Sequence, residues 1–210
     1  MLGLGTTAAS HTIDIFKNEW YLQCDGDNDY VDTGITHETT FQGSYSVGMW
    51  VKPADGRPDS AKEYIIGGIE SSNSDAFLLT LETSGKITVS FKADGDPLTQ
   101  RTDAAVFANG AITTWMHLLI VVNLTGSNST IIIYTNGTVE ASSVVGGQAL
   151  TAANHAAFAC NDNIFLAAAN NNGTDANHFA GRIDEFAIWN VALSASAAAV
   201  VGAKVKYRSW

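Results

Sequence analysis

Two cysteines in 210 residues, Cys24 and Cys160, are too few for a disulfide framework. A strand-like run passes through Trp20, Leu22 and Cys24, and on its face a small, reduced, buried thiol is the ordinary role for Cys24. Charge is scarce as well. Only 15% of residues are charged, and 11 Lys plus Arg stand against 21 Asp plus Glu, a formal net charge of −10. That balance lacks the positive footprint that nucleic acid or an anionic membrane demands, which argues against both as partners. No stretch reaches the ~20 apolar residues needed to span a bilayer, so membrane insertion is not expected. The N-terminal MLGLGTTAASHTIDIF has no basic start and only a short apolar run, so it does not read as a signal peptide. The expectation is synthesis in a cytosol, with any exit by lysis or inside an assembly. Chemistry-bearing fingerprints are missing too: there is no G-x-S-x-G, Walker or dinucleotide motif. His155 and His178 have no cysteine or histidine at zinc spacing.

What is present is acid, concentrated, and strands, many and short. Asp25, Asp27, Asp29 and Asp32 fall within CDGDNDYVDTG, residues 24–34, with Asn28 among them and Gly26 and Gly34 as hinges. Carboxylates this close repel one another unless water or a cation separates them. Their oxygen chemistry suits calcium, although Asp, Asn and Gly are also the usual formers of a solvated turn. Beyond this stretch, short apolar runs alternate with turn signals, the pattern of a β-sandwich. Tyr45, Val47, Met49 and Val51 alternate with other residues until Pro53 stops the strand. Ile87, Val89 and Phe91 alternate with polar residues after the turn at Thr83-Ser84-Gly85-Lys86, which predicts a hairpin with the run Ala76 to Leu81. Trp115 to Asn123 is almost continuously apolar, as for a strand buried on both faces. Asn136-Gly137 is a strong two-residue hairpin signal, because both residues tolerate positive φ. Asp94 to Thr102 and the polar run NNNGTDANH after Ala169 read as loops. Phe179 to Trp189 is the last long strand, and Ser194 caps a short alanine-rich helix to about Val201. A chain of this length fits one all-β domain. We assign residues 1–19 to an N-terminal arm, 20–201 to the sandwich and 202–210 to a tail carrying Lys204, Lys206 and Arg208.

Five landmarks recur in order. They are Asp25-Gly26-Asp27-Asn28-Asp29-Tyr30-Val31, Trp50-Val51-Lys52-Pro53, Trp115-Met116-His117 and Ile133-Tyr134-Thr135-Asn136-Gly137. Last comes Phe179 with Gly181, Ile183-Asp184-Glu185, Ile188-Trp189 and Ala192-Leu193-Ser194. In this order they resemble the LamG-type, laminin-G-like domains of the concanavalin A-like lectin/glucanase superfamily, over about residues 20 to 201. The chain departs from the family pattern at Cys24, where the family has Phe, and at Asn136, where it has Asp. The resemblance implies a jelly-roll sandwich of two antiparallel sheets, one concave and one convex, with first and last strands adjacent. It also implies that the acidic turn comes close to Asp184, so that Asp25, Asp27, Asp29 and Asp184 would form a structural calcium site. Trp50, Trp115 and Trp189 coincide with family strand positions and are expected in the core.

The superfamily includes glycoside hydrolases, but the E-x-D-x-x-E arrangement of its β-glucanases is missing here, as is the sialidase S-x-D-x-G-x-x-W box. Asp184 and Glu185 are adjacent and would face opposite sides of a strand, so they cannot act as a retaining pair. His117 lies in the buried run and is expected to be a core histidine. No enzyme is expected. For binding, sugar recognition needs a few loop Asn, Asp and Gly groups beside an aromatic face. The candidates are Asn73 and Asp75 in one loop and Asn171, Asn172, Asp175 and His178 in another. The functional expectation is a non-enzymatic virion structural, decoration or fibre protein of a bacteriophage, which joins other virion proteins or itself through the arm and binds host-surface glycans. Its place would be the virion surface. The alternative is a stand-alone, extracellular lectin module.

Overall fold

The computed structural model describes residues 20–69, 76–93, 96–124, 130–147, 160–171 and 174–203. The strands are β1 (Leu22–Asp25), β2 (Val31–Thr36), β3 (Tyr45–Pro53), β4 (Glu63–Ile69), β5 (Ala76–Leu81), β6 (Ile87–Ala93), β7 (Asp96–Thr102) and β8 (Met116–Asn123). They continue with β9 (Thr130–Thr135), β10 (Thr138–Val139), β11 (Ser142–Gly147), β12 (Asn163–Leu166), β13 (Ala169–Asn171), β14 (Thr174–Ala176) and β15 (Ala180–Trp189). Two short helices complete the described residues, α1 (His37–Thr40) and α2 (Ala195–Gly202). None is long and apolar enough to cross a membrane.

The strands form two layers. The first sheet has the order β1-β15-β3-β8-β9-β10. The second runs β11-β7-β6-β5-β4-β12-β2, with the β13–β14 hairpin alongside β4. All pairings between strands are antiparallel except that of β13 with β4. The expected two-sheet, antiparallel, all-β sandwich is what the chain forms, and β1 does pair with β15, joining the first and last of the described strands.

Period-two alternation decides which side chains meet between the layers. Val47, Met49 and Val51 of β3 and Leu118, Ile120 and Val122 of β8 point inward from the first sheet, all fully buried. Phe77, Leu79 and Leu81 of β5 and Ile87, Val89 and Phe91 of β6 answer from the second. Cys24 and Cys160 lie in this core as buried thiols that form no disulfide. Burial, then the charges of Asp29 and Asp25, push the Cys24 thiol up to about 11, so it is inert at neutral pH.

The run read as buried on both faces is so for a visible reason. On the outward side of β8 and β9, Leu119, Val121 and Tyr134 form a second small core beneath Ala198 of α2, with Trp189 and Leu193 packed against it. Ser194 caps α2, its Oγ accepting from the Ala197 N–H at 3.2 Å. The helix sits low because Gly202 lies against the backbone of Gly137, leaving no room for a Cβ on either residue. The hairpin before it is the expected one: Asn136 and Gly137 both have positive φ, 48° and 78°.

Three sequence readings are corrected. Asp94 to Thr102, read as a loop, contains β7, which pairs with both β6 and β11. Its alternation is masked because only Leu98 among its inward residues is apolar. The run NNNGTDANH holds the β13–β14 hairpin, which begins where Ala169 crosses Gly67 so closely that a Cβ on Gly67 would meet its Cα at 2.6 Å. Trp20 does not enter β1 with Leu22 and Cys24; it precedes the strand and stands 86% exposed. The arm, 1–19, and residues 204–210 of the tail lie outside the described residues.

Candidate functional site

The acidic turn is organised by its own backbone. The Asp27 N–H donates to Asp25 Oδ1 at 2.9 Å, and the Asp25 N–H donates to Asp29 Oδ2 at 3.1 Å. Asp25 and Asp29 are thereby used as turn-forming acceptors, as is Asp32, whose Oδ1 accepts from the Gly34 N–H at 2.8 Å, the ordinary role of Asp in such a sequence. Gly26 takes φ 86° and packs against Ala180.

Asp184 does not join them. Register pairs Asp25 with Ala180 and Leu22 with Ile183, which places Asp184 beyond the opposite end of β1. Four residues of strand separate the two levels, about 13 Å. Asp184 Oδ1 instead accepts from the Glu185 N–H at 2.7 Å, in a bulge where Glu185 has φ 49°. No three His, Cys, Asp or Glu side chains among the described residues come together as metal ligands. Asp25, Asp27, Asp29 and Asp184 therefore do not fit the shared calcium site that the resemblance implied. Adjacent ends of a sheet bring strands together, but register, which motif order does not reveal, decides which residues meet.

Of the residues put forward for glycan binding, the structure describes Asn171, Asp175 and His178. Asn73, Asp75 and Asn172 lie outside the described residues. Asn171 and Asp175 are placed by backbone register alone, in β13 and β14, where Asn171 faces Thr174 and Asp175 faces Asn170. His178 is half-buried, bridges to Tyr64 of β4, and has its ring 6.3 Å from that of Tyr30.

That aromatic corner belongs to a larger feature, the outward face of the second sheet. Because Phe77, Leu79, Leu81, Val89 and Phe91 point inward, Leu78, Thr80, Thr88 and Ser90 point outward. Register sets Thr88 beside both Thr80 and Arg101, and Ser90 beside Thr99. Ser90 Oγ and Thr99 Oγ1 share a hydrogen bond of 3.2 Å. At the β12–β2 end, Tyr30 stacks on Phe165 with centroids 4.5 Å apart and planes 15° apart. Tyr64 lies between, under the Lys62 ammonium at 5.1 Å. The face thus runs from an aromatic step, across a row of hydroxyls, to a guanidinium.

One group on it is out of balance. Thr88 is 5% exposed, and its buried Oγ1 has no hydrogen-bond partner. A buried hydroxyl without a partner costs about 1–3 kcal/mol, so such groups are rare unless something else satisfies them. Sequence reading passed over Tyr30, Tyr64, Thr88, Arg101 and Phe165. The signal that could have found them is the polar half of the β5–β6 alternation, Thr80, Thr88 and Ser90, carried onto the next strand.

Two titratable groups flank this sheet, one buried and one half-buried. His37 of α1 packs among Phe41 and Phe77, against Gly68 of β4, and neither ring nitrogen forms a hydrogen bond. Burial, only partly offset by the nearby Gly67 backbone, pushes its pKa down to about 4. Glu63, at the start of β4, accepts from the Ala180 N–H of β15 at 3.3 Å, tying one sheet to the other. Burial raises it to about 7, against the Ala180 hydrogen bond, with Asp55 adding a smaller push upward.

The family described as Laminin_G_3, concanavalin A-like lectin/glucanases superfamily, matches residues 25–199. No curated protein matches the chain in sequence. Among solved structures, the IT-sialidase CBM40 of Ruminococcus gnavus bound to α2,3-sialyllactose is 16% identical with a TM-score of 0.65, over 87% of this chain and 96% of that one. The NanB sialidase of Streptococcus pneumoniae is 20% identical with a TM-score of 0.63, over 85% of this chain but 27% of that one. The SAP-like pentraxin of Limulus polyphemus is 13% identical with a TM-score of 0.52, over 79% of this chain and 73% of that one. At these identities the likeness concerns the fold: a concanavalin A-like jelly roll.

Proposed function

Since the chain belongs to the Laminin_G_3 family of the concanavalin A-like lectin/glucanases superfamily, we propose that it is a non-enzymatic, extracellular carbohydrate-binding module whose site is the outward face of the second sheet. The observation that carries this is the buried, unpartnered Thr88 Oγ1 between Thr80 and Arg101. A sugar hydroxyl satisfies such a group. Arg101 supplies a planar donor fork suited to a sugar carboxylate. The Tyr30–Phe165 stack supplies the apolar surface on which the C–H face of a sugar rests. The R. gnavus CBM40 also appears bound to α2,6-sialyllactose, which makes sialyl glycans of a cell surface the first ligands to try. The assembly role expected of a virion protein rests on the arm, residues 1–19, outside the described residues. The geometry supports the binding reading better.

The test is calorimetry of the full chain with α2,3- and α2,6-sialyllactose, after a glycan array to widen the choice. Binding that falls about tenfold or more in Arg101→Gln and in Tyr30→Ala, with the melting temperature unchanged, supports the site. Glycan binding indifferent to both substitutions, or none to any glycan, rejects it.

A further inference from the structure

The other sheet carries an aromatic arch that the carbohydrate site does not use. Tyr21 precedes β1 and Trp115 precedes β8, and β15 and β3 lie between those strands. Three inter-strand spacings amount to about 14 Å. The two rings nevertheless meet edge-on, with centroids 5.9 Å apart. Both must therefore lean inward across the outward face of β15 and β3. Beneath them Arg182 and Lys52 are direct cross-strand partners. The Arg182 guanidinium lies 4.6 Å from the centre of the Tyr21 ring. Trp50, one step along β3, points outward and is nonetheless only 6% exposed, with its ring edge-on to His117 at 5.3 Å. Trp115, which its motif implied would lie in the core, is instead half-buried on this outward face.

Like charges directly opposite on a sheet repel. In a chain of net charge −10 with 11 Lys and Arg, placing two of them side by side is an unusual use of cations. Burial, then the Arg182 charge, pushes the Lys52 ammonium down. Asp184 shares the face, paired in register with Trp50, and one of its oxygens is held by the Glu185 N–H. Register places Gln23, Arg182 and Lys52 in one row across the face, which carries its two cations.

We propose that this arch is a second binding surface, for a polysaccharide whose sugar rings carry a carboxylate or a sulfate. The Tyr21 and Trp115 rings receive the apolar face of a sugar, and Arg182 with Lys52 receives its anionic group. The site stands on different residues from those of the second sheet, so either can fail alone.

The full chain is titrated with a hyaluronan hexasaccharide (carboxylate only), a κ-carrageenan hexasaccharide (sulfate only) and cellohexaose (neutral), read by tryptophan fluorescence and calorimetry. At least one acidic oligosaccharide binds and cellohexaose does not; which acidic one identifies the anion. Arg182→Gln and Lys52→Gln each weaken that binding about tenfold, Trp115→Ala removes most of the fluorescence response, and Arg101→Gln changes nothing. Near-UV circular dichroism of Arg182→Gln and Lys52→Gln should match the parent. Equal binding of cellohexaose, no binding of either acidic probe, or loss in Arg101→Gln but not in Arg182→Gln overturns the proposal.

Discussion

The outward faces of the two sheets are built to different ends from the same alternating strands. On the second sheet the outward positions of β5, β6 and β7 include the hydroxyls of Thr80, Thr88, Ser90 and Thr99 beside Leu78 and Arg101, and one buried hydroxyl, that of Thr88, is left unpaired. On the first sheet the outward positions of β8 and β9 are apolar and sealed by α2, and the rest of the face is roofed by Tyr21 and Trp115. A sheet needs one face for the core; what it does with the other is free for function. Here one outer face is half closed by the protein itself, while the other keeps a hydroxyl, that of Thr88, that the protein does not satisfy.

Removing the layer beneath both faces should have the largest effect. Phe77 is fully buried and touches both Phe41 and Tyr45, so Phe77→Ala should cost about 3–5 kcal/mol in denaturant unfolding. Both binding activities should then be lost together.

Acid distinguishes the faces next. His37 is an imidazole whose folded pKa, about 4, lies below its usual 6.5, so the unfolded chain binds more protons between those values. Its contribution is full above pH 6.5 and is lost as pH falls toward 4, by about 3 kcal/mol at most. Glu63 has the opposite sign. Its folded pKa, about 7, lies above 4.5, so its contribution is present below pH 4.5 and lost as pH rises through 7, by about 1 kcal/mol after partial exposure is discounted. A His37→Phe variant should therefore lose the acid-labile limb of the stability profile and keep only the weaker Glu63 limb. Urea midpoints from pH 4 to 8 check this; an unchanged acid limb counts against a neutral, buried His37.

Thr88→Val sharpens the contrast most finely. The substitution keeps the shape and removes the unpaired hydroxyl, so stability should rise by about 1 kcal/mol while glycan affinity on the second sheet falls. The first sheet should not respond. Smallest of all is the acidic turn: adding calcium or EDTA should move the melting temperature by no more than ~1 °C, because Asp25 and Asp29 serve their own backbone and Asp184 is elsewhere. A rise of several degrees with calcium would restore the metal site.

The fold was legible because its determinants are local. Alternation in β3 and β6, the Asn136-Gly137 turn and the Ser194 cap each encode their own geometry within a few residues. The second strand of apolar positions in β8 also announced a cover on its outer side, which α2 provides. The site was legible only in part. Asp25 and Asp184 lie in neighbouring strands, as the motif order implied, yet a register offset keeps them apart. Thr88 and Arg101 are ordinary surface residues in sequence and become neighbours only when β6 and β7 pair. Trp115 shows the same limit, since its strand motif could not say that its ring would bend across two strands toward Tyr21. Residues brought together by long-range pairing leave no periodic trace in the chain.

The central claim is that the outward face of the second sheet takes sugar, and an amide-resolved NMR titration of the full chain with sialyllactose tests it most directly. The expected result is saturable shifts at Thr80, Thr88, Ser90 and Arg101, absent in Arg101→Gln. Shifts confined to Tyr21, Trp115 and Arg182, or to the acidic turn at Asp25 to Asp29, would contradict it.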